Sequence, residues 1–145
     1  MNEQILNIFT DGGARGNPGQ AATGFVIFDH QDKEIIRQGQ CIGIATNNVA
    51  EYQAVIAALE FLNKTDCFIG KKIIVHFFLD SLLVVNQLIG KFKIKNENLA
   101  ILANKIHGLE KDINGTFSYQ FVPREKNKIA DLMVNQALDN KRSDY

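Results

Sequence analysis

The segment Lys72–Ser81, KIIVHFFLDS, contains a nearly unbroken apolar run that is followed by the acidic residue Asp80. Because its apolar residues do not alternate with polar ones, it predicts a strand at Lys72–Leu79 that is covered on both faces, as in the centre of a parallel sheet. Residues Ser81–Ile89 continue as a predicted helix that Gly90 ends. Ligands bind at the carboxyl ends of such strands in α/β folds. Asp80 therefore lies where a functional site is expected.

The segments on either side of this run predict the rest of a mixed α/β sheet. Three antiparallel strands come first, and strand–helix alternation follows. Residues Asp11–Gly19, with four glycines, predict a turn after the first strand. Either Asn47 or Asn48 is expected to cap the first helix. The other predicted strands are Gln4–Thr10, Ala22–Asp29, Glu34–Ile42 and Thr116–Val122, and the other predicted helices are 47–63, Asn98–Asp112 and Lys126–Asn140.

Length and composition bound the class of protein. The chain has 145 residues, which predicts one domain at 1–145 with a core at about residues 4–140 and a frayed tail at 141–145. Sixteen basic and sixteen acidic residues give a net charge of zero, whereas nucleic-acid-binding domains usually carry a basic excess. Cys41 and Cys67 lack the spacing of a metal site. With no signal peptide and no membrane span, we expect a cytoplasmic protein.

Four acidic residues stand in four unlike contexts, and each context suits a functional carboxylate. They are Asp11, Glu51, Asp80 and Asp131. Carboxylates brought together by a fold repel one another, and hard divalent cations such as Mg²⁺ or Mn²⁺ relieve that repulsion. A pair of such ions serves in-line phosphoryl chemistry. The acids therefore predict a metal-dependent enzyme that acts on phosphodiesters.

Each acid also has a purely structural interpretation. Asp11 could open a turn, and Asp80 could cap the helix that follows it. Glu51 and Asp131 could be first-turn acids favoured by the helix dipole. Glu51 is the most informative of the four, because it precedes Val55 by one helical turn and so shares the apolar stripe that faces the sheet. A carboxylate in that position is costly without a partner.

Polar residues beside these acids are candidate substrate contacts. The amides of Asn17, Asn47 and Asn48 can exchange hydrogen bonds with a 2′-hydroxyl or a base edge, which would distinguish RNA from DNA. Turn and cap roles are the alternative for all three. Thr46 and Arg124 could contact phosphates. Each also has a structural alternative, since Thr46 could simply lead into the helix and Arg124 could be solvated. Asn127 could cap the last helix.

These residues together resemble the ribonuclease H type 1 family over about residues 4–140. The carrying motifs are Asp11-Gly12-Gly13-Ala14-Arg15-Gly16-Asn17-Pro18-Gly19, Thr46-Asn47-Asn48-x-x-Glu51, Asp80-Ser81 and Arg124-Glu125-x-Asn127-x-x-Ala130-Asp131. The resemblance implies a five-stranded sheet with helices, and cleavage of the RNA strand of RNA/DNA hybrids to give 5′-phosphate products. It also implies two Mg²⁺ ions held by the four acids. Substrate contacts would come from Gly12, Gly13, Asn17, Thr46, Asn47, Asn48, Ser81, Arg124 and Asn127.

The sequence departs from the best-studied bacterial pattern of that family at two points. No histidine lies in the loop before Asp131, and no Trp-rich basic protrusion is present, so only Lys91–Asn96 offers a small basic patch. The sequence is similar to a shorter archaeal and bacterial branch. It leaves open whether double-stranded RNA is also cut and whether Mn²⁺ substitutes for Mg²⁺, and we expect a monomer.

Three other functions compete with this interpretation. A nucleic-acid-binding module without catalysis is disfavoured, because a pure binder gains nothing from acids that face phosphates. Resolvase, integrase or other nuclease chemistry on the same fold stays open, since fold does not decide substrate. A nucleotide-binding enzyme that uses Gly12–Gly19 as a phosphate loop ranks low, because the segment lacks both phosphate-loop patterns and leads into a strand.

Overall fold

The computed structural model describes the backbone of residues 3–143 and the side chains of residues 3–140. Strands and helices alternate in the predicted order. The strands are β1 (Glu3–Gly16), β2 (Gly19–Phe28), β3 (Glu34–Ala45), β4 (Lys72–Leu79) and β5 (Gly115–Phe121). The helices are α1 (Asn47–Lys64), α2 (Leu82–Leu88), α3 (Glu97–Asp112) and α4 (Lys128–Ser143), with a 3-10 turn at Arg124–Lys126 before α4.

All five strands belong to one mixed sheet with the spatial order β3-β2-β1-β4-β5. The pairs β1–β2 and β2–β3 are antiparallel, whereas β4 runs parallel to both β1 and β5. The predicted α/β fold with a five-stranded mixed sheet is therefore confirmed, and the single-domain organisation stays a prediction. The parallel ladder between β1 and β4 ends at the pair Thr10–Leu79, so Asp11 and Asp80 follow it on neighbouring strands.

Helices cover the sheet on both faces. On one face α1 packs against β1 and β2, and α3 packs against α1. The main core lies here and includes Leu6, Phe25, Leu59 and Phe77, all almost fully buried. On the other face α4 packs across β2, β3 and β1. The sheet therefore holds the starts of α1 and α4 on opposite sides of β1.

The helix α4 lies close to the sheet because two strand glycines leave room for its backbone. A Cβ atom on Gly24 would lie 2.3 Å from the carbonyl oxygen of Ala130, and one on Gly39 would lie 2.3 Å from that of Met133. A side chain at either position would force α4 outward. The two glycines thus set the height of α4 over β2 and β3.

The predicted turn at Asp11–Gly19 is wrong. The strand β1 continues to Gly16 and pairs with β2 along its whole second half, so that only Asn17 and Pro18 lie between the two strands. The glycines of this segment have no local preference for a strand, but pairing with β2 supplies hydrogen bonds for their backbone groups. Asp11 accordingly lies inside a strand rather than at its end.

Three smaller predictions also need correction. Thr46, not Asn47 or Asn48, caps α1, and its Oγ1 accepts a hydrogen bond from the Val49 amide at 3.2 Å. The strand β4 alternates between buried and partly exposed residues, because α4 crosses β1–β3 instead of covering β4. Residues 141–143 belong to α4 rather than to a frayed tail, and residues 144–145 lie outside the described part of the chain.

The two cysteines form no disulfide within the described part of the chain. Both cysteines are free, Cys41 partly buried and Cys67 exposed. The Cys41 thiol lies 3.1 Å from the carbonyl oxygen of Ala137 on α4. Among residues 3–143, no helix combines the length and the apolar character needed to cross a membrane.

Candidate functional site

Three of the four predicted acids meet at one point of the fold. Asp11 comes from β1, Asp80 follows β4, and Glu51 lies in the second turn of α1. One carboxylate oxygen from each lies within 4.8 Å of the others. Asp11 and Glu51 are buried, with 8% and 6% of their surface exposed, and Asp80 is partly buried. Such an oxygen cluster suits a hard divalent cation.

Glu51 reaches the cluster because α1 passes very close to β1. A Cβ atom on Gly12 would lie only 2.1 Å from the carbonyl oxygen of Ala50. The Gly12 amide donates a hydrogen bond to Oε1 of Glu51 at 3.3 Å. The other carboxylate oxygen, Oε2, is buried and has no hydrogen-bond partner among the described residues. A buried, unpartnered carboxylate oxygen is costly, and a bound cation would satisfy it.

Asp80 is oriented by a buried asparagine from the loop before α4. The Asn127 side chain is 1% exposed and donates to the Thr10 carbonyl oxygen at 2.8 Å and to Oδ2 of Asp80 at 3.2 Å. We predicted a substrate contact or a helix cap for Asn127. Its burial and its two bonds give it a different task, which is to join the end of the β1–β4 ladder to the acidic cluster.

Replacing Asn127 with Ala is expected to lower the free energy of unfolding by about 2 kcal/mol, because the buried Thr10 carbonyl loses its side-chain donor. Divalent-ion affinity should fall about 10- to 100-fold, since Asp80 loses the group that orients it. Thermal unfolding and titration calorimetry with Mn²⁺ measure the two effects.

The matched control is Asn96→Ala, which removes the side-chain cap of α3 far from the acids. It should cost about 1 kcal/mol and leave metal affinity unchanged. Equal metal affinity in both variants would contradict the orienting role of Asn127.

Burial and mutual repulsion shift the protonation of the cluster. Burial, followed by the charge of Asp80, raises the pKa of Asp11 to about 7 from its ordinary 3.8. Burial, followed by the charge of Asp11, raises the pKa of Glu51 well above its usual range. Without a cation, burial and repulsion therefore favour the protonated form of both carboxyl groups.

Without divalent ions, the melting temperature is expected to fall as the pH rises from about 5 to about 8. The folded pKa of Asp11 lies above its unfolded value, so folding binds a proton in this interval, and that stabilisation is lost as the pH rises through about 7. The pKa of Glu51 is shifted in the same direction. The change should amount to a few kcal/mol, measurable by thermal unfolding in EDTA.

Two comparisons tie that pH slope to the cluster. Saturating Mg²⁺ should flatten this slope, because a bound cation displaces protons from the carboxyl groups. Asp11→Asn should reduce it in EDTA. A melting temperature that stays constant in EDTA, or a slope that Asp11→Asn leaves untouched, would contradict the assignment.

Asp131 lies apart from the buried three. It is exposed in the first turn of α4, yet its carboxylate interacts with Asp11 and contributes to the raised pKa there. All four acids line one open cleft of about 440 Å³ between β1, α1 and α4. Asp131 thus lines the rim of the same cleft as the buried three, and its role as a metal ligand stays a prediction.

The predicted substrate contacts divide into those that line the cleft and those that support it. Asn48 and Arg124 line it, and both are exposed. Ser81 also lines it, and its Oγ accepts from the Val84 amide, so Ser81 rather than Asp80 caps α2. Gly12 and Gly13 form part of the floor, with the Gly12 amide already bonded to Glu51. Thr46 is exposed and caps α1.

Asn17 and Asn47 connect the β1–β2 turn to the start of α1. Asn17 Oδ1 accepts from the Asn47 amide at 3.0 Å, and Asn47 Oδ1 accepts from the Ala14 amide at 2.9 Å. Both side chains are exposed. These bonds occupy the carbonyl oxygens, so each amide NH₂ group can still donate to a ligand. Asn47 lines the cleft, whereas Asn17 lies beside it.

The sequence interpretation missed part of the cleft wall. Arg15 lies on β1, and Asn135 and Leu138 lie on α4, and all three line the cleft. The signal for Arg15 was available: on a strand it shares a face with Asp11, four residues earlier. The incorrect turn at Asp11–Gly19 hid that relation.

The match to known proteins covers nearly the whole chain. A family model described as reverse transcriptase-like matches residues 9–137. Ribonuclease HI of Halobacterium salinarum is 36% identical over 135 residues, which cover 93% of this chain and 65% of that protein. The crystal structure of RNase H1 from this archaeon aligns with a TM-score of 0.83 at 36% identity, covering 94% of this chain and 98% of that one. The chain belongs to the ribonuclease H type 1 family.

Two further proteins extend the comparison beyond that ribonuclease H type 1 relative. Bifunctional protein Rv2228c of Mycobacterium tuberculosis is 37% identical over 136 residues, which cover 91% of this chain but 35% of that protein. The chain thus spans about a third of the length of the first curated relatives it matches. The crystal structure of LC11-RNase H1 in complex with an RNA/DNA hybrid aligns with a TM-score of 0.85 at 39% identity, covering 94% of this chain and 98% of that one.

Proposed function

We propose that this protein is a metal-dependent endoribonuclease that hydrolyses the RNA strand of RNA/DNA hybrids and leaves 5′-phosphate ends. The observation that carries the proposal is the buried meeting of Asp11, Glu51 and Asp80, with Oε2 of Glu51 unpartnered within the described chain. The similarity to LC11-RNase H1, which was crystallised with a hybrid, supports the choice of substrate.

The residues at the cluster fit Mg²⁺. Their donors are carboxylate oxygens, the class of ligand that Mg²⁺ and Mn²⁺ prefer. We assign two Mg²⁺ ions to Asp11, Glu51, Asp80 and Asp131, with Mn²⁺ as a substitute. When bound, the ions would activate a water molecule and stabilise the leaving 3′-oxygen.

The other residues of the cleft hold and select the substrate. The exposed Arg124 guanidinium is suited to a phosphate of the cleaved strand. The NH₂ groups of Asn17, Asn47 and Asn48 are suited to 2′-hydroxyls or base edges, which would give the preference for RNA. Asn127 keeps Asp80 in place, and Gly12 keeps Glu51 in place. A monomeric state and a cytoplasmic location stay predictions.

The test is a cleavage assay on gels with labelled RNA/DNA hybrid, duplex RNA, duplex DNA and single strands. Each substrate is incubated with Mg²⁺, Mn²⁺ or EDTA, beside the variants Asp80→Asn and Asp66→Asn. Asp66 is an exposed acid outside the cleft and serves as the matched control. We expect cutting of the RNA strand of the hybrid, dependent on metal, lost in Asp80→Asn and kept in Asp66→Asn.

The other outcomes each have a defined meaning. Cutting of duplex RNA as well would mean that the DNA strand is poorly recognised. Cutting of duplex DNA instead would favour resolvase-type or other nuclease chemistry on this fold. Binding of the hybrid without any cutting by folded, metal-loaded protein would overturn the catalytic proposal and leave a nucleic-acid-binding module.

A further inference from the structure

Two rows of residues form the walls of the cleft on the α4 side of the sheet. On β1, Asp11, Gly13 and Arg15 alternate with residues that face α1, so they share one face. On α4, Asp131, Asn135 and Asp139 follow at intervals of four and also share one face. Four strand residues span about 13 Å and eight helix residues span about 12 Å. The two rows therefore match in length.

Polar residues of the two rows also lie opposite one another at both ends of the cleft. At one end Asp11 and Asp131 both line the cleft, one from each row. At the other end the Arg15 guanidinium contacts α4 twice, at 2.8 Å to Oδ1 of Asp139 and at 3.3 Å to Oδ1 of Asn135. Between the ends, Gly13 of β1 and Val134 of α4 line the cleft.

Arg15 is the residue in this row with a charge suited to a phosphate. Within the described chain, Arg15 and Arg124 are the only basic residues that line the cleft. Its side chain is 36% exposed, and Asp139 is 64% exposed, so a phosphate can approach without displacing packed residues. Two N–H groups of the guanidinium are used by α4, and the remaining donors allow a bidentate contact with a phosphate.

We propose that Arg15 forms a second phosphate subsite of the cleft, about 13 Å along β1 from the acidic cluster, with Asn135 holding the guanidinium in position and Asp139 occupying it until a phosphate binds. Its ligand is a backbone phosphate of the RNA/DNA hybrid outside the position of cleavage. The inference rests on the proposed function and adds to it how a chain with zero net charge and no basic protrusion holds its substrate.

The test measures hybrid binding by fluorescence anisotropy in Mg²⁺, in an Asp80→Asn background that prevents cutting. Arg15→Gln is expected to weaken binding about three- to tenfold and to lower the salt slope by about one. Asp139→Asn is expected to strengthen binding about twofold, because a carboxylate that competes with the phosphate for Arg15 is removed. This gain should largely vanish in the double variant Arg15→Gln/Asp139→Asn.

The matched control is the ion pair of Arg37 and Glu34 on β3. Its arginine side chain is 39% exposed and makes two contacts to its acid, yet neither residue lines the cleft. Arg37→Gln and Glu34→Gln change the net charge by the same amounts as the two test variants. Both should leave affinity and salt slope nearly unchanged.

The opposite signs separate a binding role from a structural one. If the Arg15–Asp139 pair only joins β1 to α4, both variants should lower the melting temperature and change binding in the same direction, which would overturn the proposal. An unchanged salt slope in Arg15→Gln would overturn the Arg15 subsite as well. If the unmodified protein still cleaved the hybrid in that case, the proposed function would be unaffected. If the unmodified protein neither binds nor cuts the hybrid, the proposed function fails first, and the Arg15 subsite fails with it.

Discussion

Replacement of Asp11 with Asn is expected to reduce hybrid hydrolysis by at least about a thousandfold, because metal-assisted phosphoryl transfer depends on several kcal/mol of charge stabilisation at the site. The same change should raise the melting temperature in EDTA. Asp11 is buried against two other acids, and Asn keeps its shape while it removes a carboxyl group whose pKa is raised to about 7. Initial rates in Mg²⁺ and thermal unfolding in EDTA measure the two effects.

The opposite directions of these effects identify a functional acid. A residue that served only the fold would lose stability along with activity. Asp66→Asn, which changes the same type of side chain at an exposed position, should alter neither quantity. An Asp11→Asn variant that still cuts the hybrid at more than about a tenth of the original rate would exclude Asp11 as an essential ligand.

Replacement of Gly12 with Ala is expected to lower the free energy of unfolding by about 3 kcal/mol, and the melting temperature by about 10 °C. The added Cβ would lie 2.1 Å from the Ala50 carbonyl oxygen, so α1 must move away from β1. Because the Gly12 amide also binds Oε1 of Glu51, that movement should weaken divalent-ion binding. Chemical denaturation and Mn²⁺ titration measure both effects.

The neighbouring glycine provides the control. A Cβ atom on Gly13 would meet its nearest described neighbour, Cγ1 of Val134, at an ordinary 3.7 Å. Gly13→Ala should therefore change the free energy of unfolding by less than about 1 kcal/mol. If both variants lost a comparable amount of stability, the close approach of α1 to β1 at Gly12 would not be the cause of the loss.

The site predictions that agree with the structure rest on short-range patterns. The strand β4 was predicted with its observed bounds, because an apolar run followed by Asp80 and a helix has few other interpretations. Glu51 was expected to face the sheet, because it lies one helical turn before Val55, and both are buried. Asp80 was expected where a functional site lies, at the carboxyl end of β4, and the structure brings it beside Asp11 there.

The errors lie where a residue's partner is distant in the chain. The glycine-rich segment after Asp11 has no strand preference of its own, so its pairing with β2 was not visible and Arg15 was overlooked. Asn127 resembled a helix cap, yet its donors serve Thr10 and Asp80, which are 117 and 47 positions away. Gly12 was assigned to the substrate, whereas its missing side chain admits the backbone of Ala50.

Hydrophobic periodicity and spacing are local properties, and they were sufficient for the order of the elements, for the class of fold and for naming Asp11, Glu51 and Asp80, which the fold brings together. Contact between distant segments is not local: it depends on which strand edges pair and how closely the helices approach the sheet. Those choices place Arg15 opposite Asp139, bury Asn127 and leave one oxygen of Glu51 without a hydrogen-bond partner among residues 3–140. The physical reason is that packing and backbone pairing of the whole chain outweigh the weak local preferences of glycine and asparagine.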